Sequence, residues 1–420
     1  MTSFDLSVRF FLQLAFILGV CRLVGMLAKR VGQSQVVSEM IAGVLMGPSL
    51  LGLLLPGVQW YVFPKESMTI LFAISQVGLS LYMFLIGLEF QVDLIRKRMR
   101  SALSVSLAGI VVPFFLGGVI AQFLAGDADF FAPGVSRTEA ILFMGASMSI
   151  TAFPMLARII YERGLSGTSL GTLALAAGSL DDAAAWCVLA IVLASFAGDP
   201  ALAAIAIGGG VAYATLLLTV GRPLLARLGA IVEREGSMSS GMLTVVLMLV
   251  MLGAWFTDYV RIYAVFGAFL MGVAMPRGRF ASEVSRLVGP LTTTFLLPLF
   301  FVYSGLNTRI GLVNTPALWA IALLVLLAAT IGKGVACWLA ARLNGEPNRE
   351  ALAIGTLMNA RGLMELIILN IGLERGIIRP TLFTIMVLMA IATTLMATPV
   401  FERVYGRERA RAASAAAHPA

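Results

Sequence analysis

Apolar residues run along this chain in blocks of about twenty, separated by short clusters of charge, glycine and proline. A helix of that length rises about 30 Å, the thickness of a bilayer's hydrocarbon core. The pattern predicts thirteen membrane-spanning helices, at roughly 6–28, 36–55, 68–90, 101–125, 138–160, 166–197, 201–221, 239–257, 261–275, 287–304, 316–342, 350–373 and 380–404. Two of these blocks are interrupted near their middles. Block 138–160 contains Ser149-Ile150-Thr151-Ala152-Phe153-Pro154, and block 350–373 contains Met358-Asn359-Ala360-Arg361-Gly362. Pro154 removes a helical hydrogen bond and clashes with the preceding turn. Gly362 near Asn359 weakens the helix at the equivalent depth. Two ordinary kinks are the plain reading; two broken helices, whose ends offer free carbonyls to a cation, are the functional one.

The chain also echoes itself. Ala42-Gly43-Val44-Leu45-Met46-Gly47 is matched by Gly267-Ala268-Phe269-Leu270-Met271-Gly272, and Phe84-Leu85-Ile86-Gly87-Leu88-Glu89 by Val302-Tyr303-Ser304-Gly305-Leu306-Asn307. The paired helices lie seven spans apart, an odd number, so the copies run in opposite directions through the membrane. Inverted repeats with interrupted helices at corresponding positions are a pattern of secondary transporters. The two interrupted blocks are partners by the same spacing.

Composition agrees with the pattern. Hydrophobic residues make up 59% of the chain and charged ones 12%, with mean hydropathy +0.95; a soluble domain carries about twice that charged fraction. The first block lacks a cleavage site and is followed by Lys29-Arg30, so it reads as a retained helix. The net charge of +8 does not read as a nucleic-acid footprint, because twenty of the 30 basic residues fall in odd-numbered loops and at the C-terminus, against seven at the N-terminus and in even loops. That bias predicts a multi-pass protein of the cell inner (plasma) membrane with its N-terminus outside and its C-terminus in the cytoplasm. Cys21, Cys187 and Cys337 lie within apolar blocks and read as packing; His418 lies in an Ala-rich tail, 406–420, expected to be disordered. No P-loop pattern, His/Cys metal cluster or potassium-filter motif occurs, so an enzyme, an ATP-driven pump and a bound cofactor are not expected.

Against this background the charges inside the blocks are the candidate chemistry. Asp181 and Asp182 sit at the centre of block 166–197. A carboxylate there costs roughly 2.5–3.5 kcal/mol on insertion scales. The usual reasons are a bound cation, a proton relay or a buried ion pair. Adjacent helical residues point about 100° apart, so the two need not share a task. Lys333 is the lysine inside a span and supplies a positive charge for the pair. Arg361 and Glu365, at i and i+4, are expected to pair on one helix face, as structural support or as part of transport. Thr151 is a candidate ligand beside the first interruption. Glu39 and Glu89, at the ends of their blocks, read as structural or entrance residues.

These residues together resemble a family. Glu39 to Gly52, Phe84 to Phe90, Ser149 to Arg158, Asp181-Asp182 with Ala185-Trp186, and Asn359 to Leu366 through Asn370-Ile371-Gly372 are similar, in order and spacing, to motifs of the monovalent cation:proton antiporter superfamily. The similarity is to its second branch, which includes bacterial potassium-efflux and sodium antiporters and plant cation/proton exchangers. It spans about residues 8–404. It implies an all-α polytopic fold with inverted repeats and two crossing broken helices. It further implies a core domain, helices about 68–197 and 287–373, and a dimerisation scaffold, helices about 6–55, 201–275 and 380–404. Asp182 matches the aspartate where cation and proton compete, Asp181 its neighbour, and Lys333 the lysine paired with Asp181. Pro154, Asn359, Arg361 and Glu365 fall at the broken helices.

The expected function is therefore exchange of a monovalent cation, K+ or Na+, for H+ by alternating access, with the cation held at Asp182 and the chain working as a homodimer in the bilayer. Lys333 is expected to release a second proton when cation arrives. The rival readings are a passive cation channel or a differently coupled ion transporter, and an intramembrane aspartyl protease, which needs aspartates from separate helices.

Overall fold

The computed structural model of the chain describes all residues except 1, 31, 32, 34, 90–98, 154, 155, 157, 158, 161, 162, 164, 166, 167, 198, 199, 262, 263, 362 and 418–420. In order, the helices are α1 (Ser3–Arg30), α2 (Gln35–Met46), the short α3 (Leu51–Leu54) and α4 (Pro56–Val62), α5 (Lys65–Glu89), α6 (Met99–Leu124), α7 (Arg137–Ser149), α8 (Ser169–Ala197), α9 (Pro200–Leu216), α10 (Arg222–Glu235), α11 (Ser240–Tyr259), α12 (Ala264–Ala274), α13 (Arg279–Leu291), α14 (Leu297–Leu306), α15 (Pro316–Leu343), α16 (Asn348–Met358), α17 (Leu363–Glu374) and α18 (Pro380–Ala417). Among the described residues, nine helical stretches are long and apolar enough to cross a membrane. The remaining expected spans hold α7 and the chain beyond it, α8, α12, and the pair α16–α17. Of these, α7, α12, α16 and α17 have 13, 11, 11 and 12 residues, too short to span individually.

Three departures from expectation have physical causes. Residues 222–235 and 279–291, expected largely as loop, form α10 and α13. Leu225, Gly229 and Val232 in one, and Phe280, Val284 and Val288 in the other, line up on a buried face at helical spacing. Each joins its neighbouring span through a π-helical segment, Leu217–Gly221 and Thr292–Leu296. The third departure is α18, which continues to Ala417 where an unstructured tail is expected; alanine and arginine are strong helix formers.

The chain divides into two compact units by packing. The first is Met1–Leu23, Leu45–Gln91 and Trp186–Asn307; the second is Val24–Val44, Val92–Ala185 and Thr308–Ala420. In the first, α5 packs along α12 and α14, and α11 along α12. Their core includes Phe84, Val246, Val250, Ala268, Phe280 and Val284. Gly87 and Gly272 meet where α5 and α12 cross. A Cβ on Gly87 would lie 2.2 Å from the Phe269 carbonyl oxygen, and one on Gly272 2.2 Å from that of Phe84. Arg277 donates to the carbonyls of Gly87 (3.0 Å) and Leu88 at the end of α5.

In the second unit α6 packs on α7 and α15, α15 on α16 and α18, and α18 also on α16 and α17. An isolated β-bridge between Phe131 and Ile378 ties the α6–α7 connection to the α17–α18 connection. This unit carries both interrupted helices.

Candidate functional site

The site is built on the interruptions. α7 starts on a capping box: Ser136 Oγ accepts from the Glu139 N–H at 3.2 Å, and Glu139 Oε2 accepts from the Ser136 N–H at 2.8 Å. It ends at Ser149, and Ile150 is extended, with φ −73° and ψ 135°. Proline four residues beyond Ile150 has no N–H to give the Ile150 carbonyl; Pro154 itself lies outside the described residues, as does Gly362. α16 ends at Met358, Asn359 to Arg361 leave the helix, and α17 resumes at Leu363.

The two interruptions bind each other. The Ala152 N–H donates to Ala360 O at 3.1 Å, and the Thr151 hydroxyl donates to Met358 O at 3.3 Å. Thr151 therefore ties the crossing together, and its oxygen still has a lone pair to offer.

Each helix end at the crossing exposes carbonyls and a partial negative charge, and the two are treated differently. At α7 the last four carbonyls all find donors. Ser149 Oγ donates to Ala146 O at 2.9 Å. Arg361 donates from Nη1 to Ser147 O at 3.4 Å and from Nη2 to Met148 O at 2.6 Å. Lys333 Nζ donates to Ser149 O. Two fixed cations thus sit on this end. At α16, Thr356 O accepts from the Asn359 N–H (3.3 Å), Leu357 O from the Ala360 N–H (3.0 Å) and Met358 O from Thr151. Those donors are all neutral, so the α16 end keeps its negative potential.

Lys333 is fully buried and also donates to Asp181 Oδ2 at 3.0 Å. Such a pair resists loss of either partner, because the survivor would be an uncompensated buried charge. Asp181 is 0% and Asp182 4% exposed. The buried acceptors with no hydrogen-bond partner among the described residues include Asp181 Oδ1, Asp182 Oδ1, Asn359 Oδ1 and Glu365 Oε1. Asn359 also lines a cavity of about 260 Å³ with Thr330, Trp338 and Thr356.

The structure thus brings Asp181, Lys333, Thr151, Asn359 and Arg361 to the crossing, with Asp182 next in sequence. It corrects the reading of Arg361. Arg361 does not lie on a helix face with Glu365 but in the gap between α16 and α17, because its guanidinium reaches across to the α7 carbonyls. The pair with Glu365 still forms, at a long 3.5 Å. The sequence reading missed the role of Thr394, whose hydroxyl bonds the Arg361 backbone. A hydroxyl in an apolar helix usually bonds its own preceding turn, as Ser149 does, so no sequence signal marked Thr394.

With this geometry in view, comparison with known proteins is decisive. The family profile described as "Sodium/hydrogen exchanger, transmembrane" matches residues 15–404. The chain belongs to this family. It is 41% identical over 394 residues to the Na(+)/H(+) antiporter NhaS4 of Synechocystis sp., covering 93% of this chain and 95% of that one. It is 36% identical over 398 residues to Cation/H(+) antiporter 17 of Arabidopsis thaliana, covering 94% of this chain and 48% of that one. The chain spans about half the length of that plant relative. Its fold matches the sodium proton antiporter MjNhaP1 of Methanocaldococcus jannaschii with TM-score 0.65 at 15% identity, over 96% of this chain and 97% of that one. That likeness is of fold, which in this chain is helical with several spans long and apolar enough to cross a membrane.

Proposed function

We propose that this family member exchanges a monovalent cation, K+ or Na+, for protons by alternating access, with Asp182 as the shared site. One observation carries the reading. Two adjacent buried carboxylates each keep one oxygen with no hydrogen-bond partner, but Asp181 is paired with Lys333, and among the described residues no cationic side chain pairs with Asp182. A bare carboxylate in this setting is costly, so a proton and a cation compete to neutralise it. The α16 end, with only neutral donors, adds favourable potential for a mobile cation, and Thr151 and Asn359 supply oxygens.

Membership of the exchanger family supports the reaction class. The relatives' names span both ions: NhaS4 is a Na(+)/H(+) antiporter, and a yeast relative, 31% identical, is K(+)/H(+) antiporter 1. Transport is secondary rather than enzymatic. In this reading the core helices about 68–197 and 287–373 move against the scaffold helices about 6–55, 201–275 and 380–404, and two copies dimerise through the scaffold. The N-terminus lies outside and the C-terminus in the cytoplasm of the inner membrane, following the distribution of basic residues.

Cation-driven pH change in proteoliposomes tests the proposal, with potassium, sodium, lithium and choline compared. Asp182→Asn keeps the side-chain volume and removes the titrating group, so it is expected to abolish exchange while the protein stays folded. Coupled exchange by that variant would sink the assignment. Lys333 is the proposed source of a second proton per cation. Lys333→Gln should then change the stoichiometry and the voltage dependence; unchanged values refute the second proton.

A further inference from the structure

We infer that Thr394 is a positioning residue of the exchange site, holding the backbone of Arg361 and through it the guanidinium that caps α7. The inference rests on the proposed exchange reading and on contacts that reading does not use. Thr394 is 1% exposed, in the middle of α18. Its Oγ1 accepts from the Arg361 N–H at 3.2 Å. The same oxygen lies 2.6 Å from Arg361 O and 2.7 Å from Ala390 O, the carbonyl one turn back in its own helix. Arg361 is outside any helix, so both its backbone groups need such a partner.

The neighbouring residue shows what an ordinary hydroxyl does here. Thr393 donates only within α18, to Met389 O at 2.9 Å and Ala390 O at 3.1 Å. Thr394 instead reaches across 33 residues to the interruption. A hydroxyl has one hydrogen and two lone pairs. With two carbonyls at nearly equal distance, that hydrogen can turn from Arg361 O to Ala390 O and keep a partner in either position. The link between α18 and the interruption can therefore loosen without stranding a buried donor. The Arg361 backbone is one residue from Ala360, whose carbonyl pairs with Ala152, and its side chain grips Ser147 and Met148. Anchoring this one residue consequently fixes both halves of the crossing, where Lys333 bonds Ser149 O and Asp181.

The test uses the full chain in proteoliposomes and reads apparent KM for the cation, maximal exchange rate and thermal unfolding. Thr394→Val keeps the shape and removes the hydroxyl. It is expected to raise the apparent KM by about tenfold, the scale of one buried hydrogen bond, with a smaller change in maximal rate. Thr394→Ser should restore KM to within about twofold, because the hydroxyl is the operative group. Thr394→Cys, with a weak donor, should fall between them and serves if the valine variant does not accumulate. Thr393→Val is the control and should match the parent. A Thr394→Val protein with the KM of Thr393→Val overturns the inference. So does a serine variant as impaired as the valine one, or a loss of activity that only tracks the loss of folded protein. Exchange by Asp182→Asn would instead overturn the underlying reading, whatever Thr394→Val does.

Discussion

The molecule brings helices into close contact in two opposite ways. Where α5 meets α12, both helices stay whole and side chains are removed: Gly87 and Gly272 let backbone touch backbone, with no space for a Cβ on either. Where α7 meets α16, the side chains stay and the helices stop. Ala152 then bonds Ala360, and Thr151 bonds Met358. At the glycine crossing the helices are uninterrupted, and the Gly87 carbonyl, which also accepts from Arg277, is already taken. The broken crossing frees carbonyls in the middle of an apolar region, and those at the end of α7 are satisfied by charged side chains. Catalytic-looking chemistry in this fold follows from an incomplete secondary structure, and Lys333 and Arg361 are there to make that incompleteness bearable.

The contrast can be broken from either side. The largest effect is expected from Arg361→Ala. It strips the Ser147 and Met148 carbonyls of their donors and leaves Glu365 unpaired, a loss of about 3–5 kcal/mol for a broken buried ion pair. Thermal unfolding in detergent should show a large drop together with loss of exchange; parent-like stability would refute the capping role. Gly272→Leu attacks the other crossing. Overpacking there should destabilise by about 1–3 kcal/mol, yet the protein that remains folded should keep its cation KM, since the added side chain meets Phe84, Gly87 and Leu88 and none of the residues of the broken crossing. A KM change without a stability change would mean that this crossing belongs to the site. The smallest effect is expected from Thr151→Val, which removes one neutral bond worth about 1 kcal/mol. Its apparent cation KM should rise about fivefold on that scale, and an unchanged KM would show that Thr151 neither ties the crossing nor touches the cation.

The sequence made parts of this legible because burying charge is expensive. Asp181, Asp182 and Lys333 stand out in apolar blocks for that reason, and the Asp181–Lys333 pair forms at 3.0 Å. The interruption of α7 was legible from Pro154, and that of α16 from Asn359 and Gly362. What stayed hidden depends on contacts between distant residues. Arg361 lies 213 positions from Met148, and nothing local shows that it caps that helix rather than pairing along its own. Arg277, which closes α5 from 190 positions away, looked like one more basic loop residue. Helices α10 and α13 were hidden because their charged outer faces break the hydropathy signal, although their buried faces keep helical spacing.

The five charged groups gathered around the crossing also make a simple count. Asp181, Asp182 and Glu365 oppose Lys333 and Arg361, and all five are buried. With every group ionised, the cluster carries one surplus negative charge. While Lys333 keeps its proton, one proton or one alkali cation brings it to neutrality, and a divalent ion would overshoot to a positive charge as costly as the original negative one. Selection by valence would then be set by the arithmetic of fixed charges in a dry interior, leaving only the choice among alkali cations to the size and shape of the oxygen cage.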